Sequence, residues 1–187
     1  MNILDRRNFI RSSVALGAGA AAAGRWPGVA RAQSRPGAGI PLIITSHTNE
    51  TGQEGIRQGW EILSSGGSPM DAVERCANVI EVDPDDSSVG YGGLPNAEGV
   101  VQLDASCMDG PTYSAGAVAS LEGIKTPSSI ARLVMERTDH VLMVGPGAQR
   151  LALDFGFKLE DLMTERSRQA WLRWRERLSE TDDWGPP

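Results

Sequence analysis

The most informative part of the sequence is residues 88–110, which read SVGYGGLPNAEGVVQLDASCMDG. It opens with three glycines, Gly90, Gly92 and Gly93. Because glycine has no Cβ, it tolerates positive φ angles and lets other backbone approach closely. The spacing therefore predicts a tight turn that fits against another part of the molecule and places Ser88 at its entrance.

A second turn and a strand follow this glycine turn. Pro95–Gly99 contains Pro, Asn and Gly and predicts a turn, and Val100–Leu103 predicts a strand. We expect the strand to carry Asp104, Ser106 and Asp109 at its far end. The residues alone leave open a plain alternative, a glycine loop and a β-hairpin whose acids face water, since these glycines lack the frame of a phosphate loop.

Composition limits the classes of function. With 187 residues, 40% of them hydrophobic, the chain can bury one core and lacks the composition of a disordered protein. Residues 1–32 hold five Arg and one Asp, so the rest carries 13 Lys or Arg against 23 Asp or Glu, a net charge of −10. Nucleic-acid binding, which requires clustered positive charge, is not expected.

The N-terminus resembles an export signal. Residues 6–10 are RRNFI, residues 12–24 are small and weakly apolar, and residues 30–32 form an A-x-A cleavage site. A transmembrane anchor is the alternative, but it needs about 20 predominantly apolar residues. We therefore predict a twin-arginine signal peptide over residues 1–32 that is removed on export to the periplasm or beyond, leaving no membrane segment. A linker over residues 33–39 precedes the folded part, residues 40–187.

Apolar periodicity beyond the linker predicts alternating helices and strands, which suits an α+β or α/β fold. The predicted strands are 41–45, 100–103, 113–120 (where Gly116 allows close packing) and 141–145, the first and last of them buried. The predicted helices have buried stripes formed by Ile56, Trp60 and Leu63; by Met70, Val73, Ala77 and Ile80; by Ile130, Leu133 and Val134; and by Trp171, Trp174 and Leu178, with a further helix over 148–155. An RNA or membrane contact is the alternative for the last helix, which also carries several Arg.

Cysteines and acids give no metal or cofactor site. Cys76 and Cys107 are expected to be buried free thiols, although an oxidising compartment would let them pair. Two histidines are too few for a Cys/His metal site. The acidic run 83–86 lacks the central Gly and the final Glu of an EF-hand, so it predicts a solvated turn.

Two segments are informative through their exact amino-acid sequences and not only through the spacing of their glycines. SVGYGGLPN (88–96) and LDASCMDG (103–110) resemble the α-chain of the glycosylasparaginase branch of the N-terminal-nucleophile hydrolases. The resemblance extends over residues 40–187, through DAVER at 71–75 and VMERTDHVLMVG at 134–145. It implies that the chain is the α-chain half of a four-layer α-β-β-α sandwich. It also implies a precursor that cleaves itself into an α-chain and a β-chain, and a heterotetramer of two α-β pairs.

The resemblance also implies which chemistry to expect. In this family a threonine at the start of the β-chain, after a His-Asp-Thr or His-Gly-Thr signature, attacks the side-chain amide of the substrate with its own α-amine as base. This sequence has no such signature; His47-Thr48 lacks the middle residue and is expected to be loop. We therefore expect no catalytic residue in this chain, and no activity without the β-chain.

Four residues of this chain are expected to form the supporting wall of that site. By the resemblance Ser88 positions the nucleophile, and Gly90, Gly92 and Asn49 contribute to the wall beside the substrate. A tryptophan that flanks the substrate in the family is replaced by the segment 46–49, SHTN. Asparagine, glycosylated asparagine and β-aspartyl peptides therefore all stay open as substrates.

Two further interpretations are kept. One is a non-catalytic, secreted, acidic binding protein. The other is a serine hydrolase that uses Ser88 or Ser106 as nucleophile and His140 as base, although the sequence has no G-x-S-x-G elbow.

Overall fold

The computed structural model describes residues 40–177, so the predicted signal peptide, the linker and Leu178 lie outside the described residues. Helices and strands are mixed along the described part, as the sequence predicts. The helices are α1 (Glu50–Ser64), α2 (Pro69–Glu81), α3 (Pro127–Arg137), α4 (Gly145–Asp154) and α5 (Glu165–Glu176), and the strands are β1 (Gln102–Asp109), β2 (Ser114–Glu122) and β3 (Leu142–Val144). Within residues 40–177, no helix combines the length and the apolarity that crossing a bilayer requires.

The three strands form one sheet in the order β1-β2-β3, with β1 antiparallel to β2 and β2 parallel to β3. The register shifts once. Leu103 lies opposite Leu121 and Ala105 lies opposite Val118, so β2 uses one residue more than β1 over this interval. The extra residue makes a β-bulge. It includes Ser120, whose φ of 49° is in the left-handed region.

The extent of β1 corrects the prediction that Asp104, Ser106 and Asp109 lie together at the far end of the strand. Asp104 and Ser106 lie within the strand, and Asp109 alone ends it. The Asp104 side chain has a structural role, because its Oδ1 accepts a hydrogen bond of 2.7 Å from the Ser120 backbone N–H. That backbone group has lost its ladder partner at the bulge, and the carboxylate replaces it.

The main core lies between one face of the sheet and helices α3 and α4. Its fully buried members are Val118, Leu121, Ile124, Ile130, Ala131, Val134, Ala148 and Ala152. Gly116 allows close packing, as predicted, but against a helix: a Cβ at this position would lie 2.2 Å from the Ala131 carbonyl oxygen. Helix α3 therefore packs almost directly on the backbone of β2.

Helices α1 and α2 pack through glycine rather than through the predicted apolar stripe. The residues of α1 that are buried are Gly52, Gly55 and Gly59, whereas Trp60 is 41% exposed. A Cβ on Gly59 would lie 2.7 Å from the Ala72 carbonyl oxygen of α2. Because the backbones touch, the large side chains of α1 are displaced to the sides of the contact. For the same reason Val73 is 47% exposed while Ala72 is buried.

Two strands that the sequence predicts as buried are not. Residues 41–45 are not assigned to a strand, and Leu42 and Ile44 are 79% and 80% exposed. Strand β3 leaves Leu142 and Val144 more than half exposed. Apolar runs do predict buried strands, but here the described residues provide nothing to cover them.

We call the uncovered side of the sheet the open sheet face. The register places on it Ser106 and Met108 of β1, Ala117 of β2, and Leu142 and Val144 of β3. Met108 is 61% exposed. The opposite side of the same sheet carries the core, so the sheet is covered on one side by the described residues.

Candidate functional site

The glycine turn is fitted against the end of helix α2. Gly90 has a φ of 59° and Gly92 a φ of 91°. A Cβ on Gly90 would lie 2.0 Å from the Glu81 carbonyl oxygen, and one on Gly92 would lie 2.7 Å from that of Pro84. Both positions therefore require glycine for conformation and for space. The turn fixes the backbone that presents Ser88.

Ser88 lies on a polar cleft of about 400 Å³ between two loops, residues 46–49 and residues 85–88. The cleft brings together Ser88 and Asn49, two of the four residues that the sequence indicates. Asn49 is also the N-cap of α1, with its Oδ1 accepting from the Gly52 N–H at 2.9 Å. Gly90 and Gly92 are buried behind the loop that carries Ser88 and are not part of the cleft lining.

Asp86 holds both polar groups of Ser88. Its Oδ1 accepts a hydrogen bond from the Ser88 backbone N–H at 2.9 Å and another from the Ser88 hydroxyl at 2.5 Å. Asp86 is 8% exposed, so the prediction of a solvated turn over residues 83–86 is wrong for this residue. An Asp two positions before a Ser often makes such a local turn, and that pattern could have indicated the contact.

Asp86 is poised to remain ionised. Burial alone would raise its pKa, but the hydrogen bonds from Ser88, together with the His47 imidazole and the Asn49 side chain, hold the pKa below its usual value. An ionised carboxylate accepts hydrogen bonds and donates none. The proton of the Ser88 hydroxyl is therefore directed at Asp86.

His47, which the sequence places in a loop without a role, faces the same hydroxyl across 41 residues of chain. Its Nε2 lies 3.2 Å from Ser88 Oγ and 3.6 Å from Asp86 Oδ2. This arrangement is not a catalytic triad, because in a triad the carboxylate holds the ring nitrogen that the serine does not use. Here one nitrogen faces both groups.

The serine-hydrolase interpretation finds no support in the other residues that it requires. His140 is exposed, and its backbone N–H donates to Thr138 Oγ1 at 3.0 Å. Ser106 lies on the open sheet face. The histidine that the structure brings to Ser88 is His47, in a geometry that does not take the serine proton.

Cysteines and potential metal ligands do not form a second site in the described residues. Cys76 is buried and Cys107 is half-buried, and both are free thiols whose pKa burial raises. The expectation of free thiols is confirmed, and that of full burial is wrong for Cys107. Among residues 40–177, no three His, Cys, Asp or Glu side chains are grouped so that they could hold a metal ion.

Comparison with known proteins identifies the family. A family model described as asparaginase matches residues 42–184. The chain belongs to the asparaginase family of N-terminal-nucleophile hydrolases. It is 46% identical over 134 residues to the N(4)-(β-N-acetylglucosaminyl)-L-asparaginase of Elizabethkingia miricola. These residues make up 72% of this chain and 38% of that protein.

Two other relatives of this asparaginase-family chain have different names. A plant-type L-asparaginase of Pyrococcus furiosus is 42% identical over 144 residues, which are 77% of this chain and 45% of that protein. The isoaspartyl peptidase/L-asparaginase of Mus musculus is 42% identical over 133 residues, 67% of this chain and 40% of that protein. The chain thus spans less than half of the length of these relatives. Members of the family are processed into α- and β-chains, and the similarity to the α-chain is confirmed.

Proposed function

We propose that this chain is the α-chain portion of an exported amidohydrolase whose nucleophile is the N-terminal threonine of a β-chain made by self-cleavage. The enzyme adds water to the side-chain amide of asparagine, glycosylated asparagine or a β-aspartyl peptide and releases aspartate. The threonine hydroxyl attacks the amide carbonyl while its α-amine takes the proton and passes it to the nitrogen that leaves as ammonia or an amine when the C–N bond breaks. Water then cleaves the resulting ester, which releases aspartate and restores the threonine hydroxyl. Without the β-chain, the polypeptide is expected to be inactive.

The observation that carries this proposal is the position of Ser88 in an asparaginase-family chain. It stands on an open polar cleft, at the end of a loop that two constrained glycines fix in place. Such a cleft supplies one wall of a site for a small polar substrate. The resemblance implies that Ser88 positions the nucleophile.

Exposed apolar surface supports a partner chain. Met108 and Leu142 on the open sheet face are 61% and 54% exposed, and Ile40, Leu42 and Ile44 are 92%, 79% and 80% exposed. Exposed apolar side chains of this kind mark an interaction surface, and the edge strands β1 and β3 offer backbone hydrogen bonds to a neighbouring strand. We infer that a β-chain covers this surface, completing the four-layer sandwich, and that two α-β pairs assemble.

The relatives of this chain indicate a substrate with a side-chain amide. The names of the relatives refer to glycosylated asparagine, asparagine and isoaspartyl peptides, each for its own protein. His47 lies in the segment that replaces the family's substrate-flanking tryptophan, and its ring is smaller and more polar. We propose that small asparagine or β-aspartyl substrates fit this wall at least as well as glycosylated ones.

A chimera tests the proposal. The 134 residues of the Elizabethkingia miricola protein that match this chain would be replaced by the residues of this chain. We expect a precursor that cleaves itself, seen as two fragments on a gel, and that releases aspartate from the three amide substrates. The control is the Elizabethkingia miricola protein from which the matched segment has been deleted. A soluble chimera that neither cleaves nor releases aspartate would contradict the proposal and favour a non-catalytic binding protein.

A further inference from the structure

Resting on the proposed function, we propose that Asp86 and His47 are positioning residues that hold the Ser88 hydroxyl as a hydrogen-bond acceptor facing the cleft. The group that Ser88 contacts in the assembled enzyme is then a donor. The amine or the hydroxyl of the nucleophilic threonine meets that requirement, and the carboxylate of a substrate does not.

The Ser88 hydroxyl has one proton to donate and two lone pairs that can accept. The proton is directed at Asp86 Oδ1, 2.5 Å away. Oδ1 is itself held by the Ser88 backbone N–H at 2.9 Å, so the carboxylate cannot turn without breaking two hydrogen bonds. With its proton occupied, the hydroxyl can only accept.

His47 uses one of the two lone pairs of the Ser88 hydroxyl. Its Nε2 lies 3.2 Å from Ser88 Oγ, which has no proton left to give, so the contact requires that Nε2 carry a hydrogen. The same hydrogen is attracted by Asp86 Oδ2, 3.6 Å away. One lone pair of Ser88 is thereby taken by His47. One remains, and the open cleft is where it can be used.

The groups around this cluster favour the same arrangement. Asp86 is 7% exposed through its side chain and His47 is 27% exposed, so water reaches the ring but hardly reaches the carboxylate. Asn49 lies on the same cleft, and its amide oxygen is already held by the Gly52 N–H. Asp85, the neighbouring acid, is directed outward to Arg166 Nη1 at 3.4 Å. The ionised acceptor that faces Ser88 is therefore Asp86.

The protonated nitrogen of His47 can be measured directly in the full-length chain. The sequence has two histidines, so a His140→Gln variant assigns the imidazole ¹⁵N resonances. At high pH, where imidazoles are neutral, we expect the hydrogen on Nε2. In an Asp86→Asn variant we expect the preference for Nε2–H to weaken. A neutral His47 with its hydrogen on Nδ1 would overturn the proposal, whatever the activity of any chimera.

The kinetic test uses a double-mutant cycle in the active chimera. Ser88→Ala should lower kcat by about 3- to 100-fold with little change in KM, since one hydrogen bond to the nucleophile is lost. Asp86→Ala should lower kcat similarly, but should add little in the Ser88→Ala background because it acts through that hydroxyl. His47→Phe should lower kcat, and His47→Gln, which keeps a donor, should restore part of it.

A buried carboxylate outside the cluster is the matched control. Glu81→Gln alters a structural acid and should have the same effect on kcat with Ser88 intact as in the Ser88→Ala background. If Asp86→Ala behaved like this control, with fully additive effects, its role would be structural and the proposal would be wrong. An active chimera with additive effects refutes this inference alone, whereas a soluble inactive chimera refutes the proposed function.

Discussion

Gly90 shows how strongly one residue of the glycine turn is constrained. It combines a positive φ of 59° with a Cβ position 2.0 Å from the Glu81 carbonyl oxygen. Gly66 also has a positive φ, 85°, but nothing lies within 4 Å of its Cβ position. The two glycines therefore separate the cost of backbone conformation from the cost of a steric clash.

We predict that Gly90→Ala destabilises the chain more than Gly66→Ala. The change at Gly66 should cost about 1–2 kcal/mol, the usual penalty for a left-handed residue with a Cβ. The change at Gly90 should add about 1–3 kcal/mol for overpacking against rigid backbone. Urea denaturation of both variants would measure the difference, and equal losses would show that the turn can move away from α2.

The sequence predicts single positions correctly where the physical reason is local. The glycines at 90 and 92 could be assigned to a tight turn because their conformational freedom is a property of the residue itself. Asp86 could have been linked to Ser88 by similar local reasoning, because the two residues are two positions apart. His47 could not, because its contact with Ser88 joins two loops 41 residues apart. No periodicity or short motif encodes that contact.

Helix α3 is capped by a residue of another helix. Its N-cap, Thr126, makes no side-chain hydrogen bond to the helix. Instead Glu81, at the end of α2, accepts from the Ser128 N–H at 2.9 Å and from the Ser128 hydroxyl at 2.8 Å. Burial raises the pKa of Glu81, and the hydrogen bonds from Ser128 and Asn78 offset only part of that effect.

We predict that the contribution of Glu81 to stability depends on pH. Because its pKa is raised in the folded state, that contribution is fully present below the unfolded value of 4.5 and is lost as pH rises through the folded pKa. Glu81→Gln cannot titrate, so its stability relative to the original chain should rise over that range. Glu81→Ala should lose about 1–3 kcal/mol by leaving the Ser128 N–H unsatisfied. Thermal unfolding at several pH values tests both, and a pH-independent difference for Gln would contradict the first.

A second link between helices is Arg132 of α3, which pairs with Asp71 and Glu74 of α2 at 2.7 and 2.6 Å. Arg57 is the matched control, because its partners Glu54 and Glu61 lie on its own helix, α1. We predict that Arg132→Ala costs about 1–2 kcal/mol, less at high salt, since it breaks a half-buried network. Arg57→Ala should change the melting temperature little. Equal effects would show that the network does not couple α2 to α3.

The starts of helices could be predicted from the sequence, and the faces of helices and strands that are buried often could not. Ser68-Pro69 and Thr126-Pro127 begin helices where the sequence indicates, because N-terminal prolines act locally and Ser68 also caps its helix through its side chain. The apolar stripe of α1 misleads, because the helix packs through its glycines. The apolarity of residues 41–45 and 141–145 predicts buried strands, but it does not reveal whether a covering layer belongs to the same stretch of chain.

For the whole molecule, we predict that the open sheet face is needed for association and not for the fold of this part. Met108→Glu should leave the melting temperature of the chain nearly unchanged and should prevent co-purification with a β-chain supplied in the same cell. Leu153→Glu, on helix α4 and 42% exposed, is the control. Normal association of the Met108 variant would show that the β-chain binds elsewhere.

Export of the protein is a further prediction. If residues 1–32 are a twin-arginine signal, replacing Arg6 and Arg7 by Lys should keep a fused reporter in the cytoplasm and leave the precursor uncleaved. Fractionation and N-terminal sequencing of the mature protein would show it. Unchanged export of the double variant would rule out this route.

The bulge in β2 determines which side of the sheet the later residues of the strand face. Val118 and Leu121 are three residues apart, an odd spacing that would put them on opposite sides of a regular strand, yet both are buried in one core. Before the bulge, even-numbered residues of β2 face the core, and after the bulge odd-numbered residues do. Deleting Ser120 would leave Val118 and Leu121 two residues apart, the spacing that keeps both on one side of a regular strand. Loss of one codon should therefore be tolerated better at Ser120 than at Ala117, where the strand is regular and a deletion would exchange the buried and exposed sides of the residues beyond it.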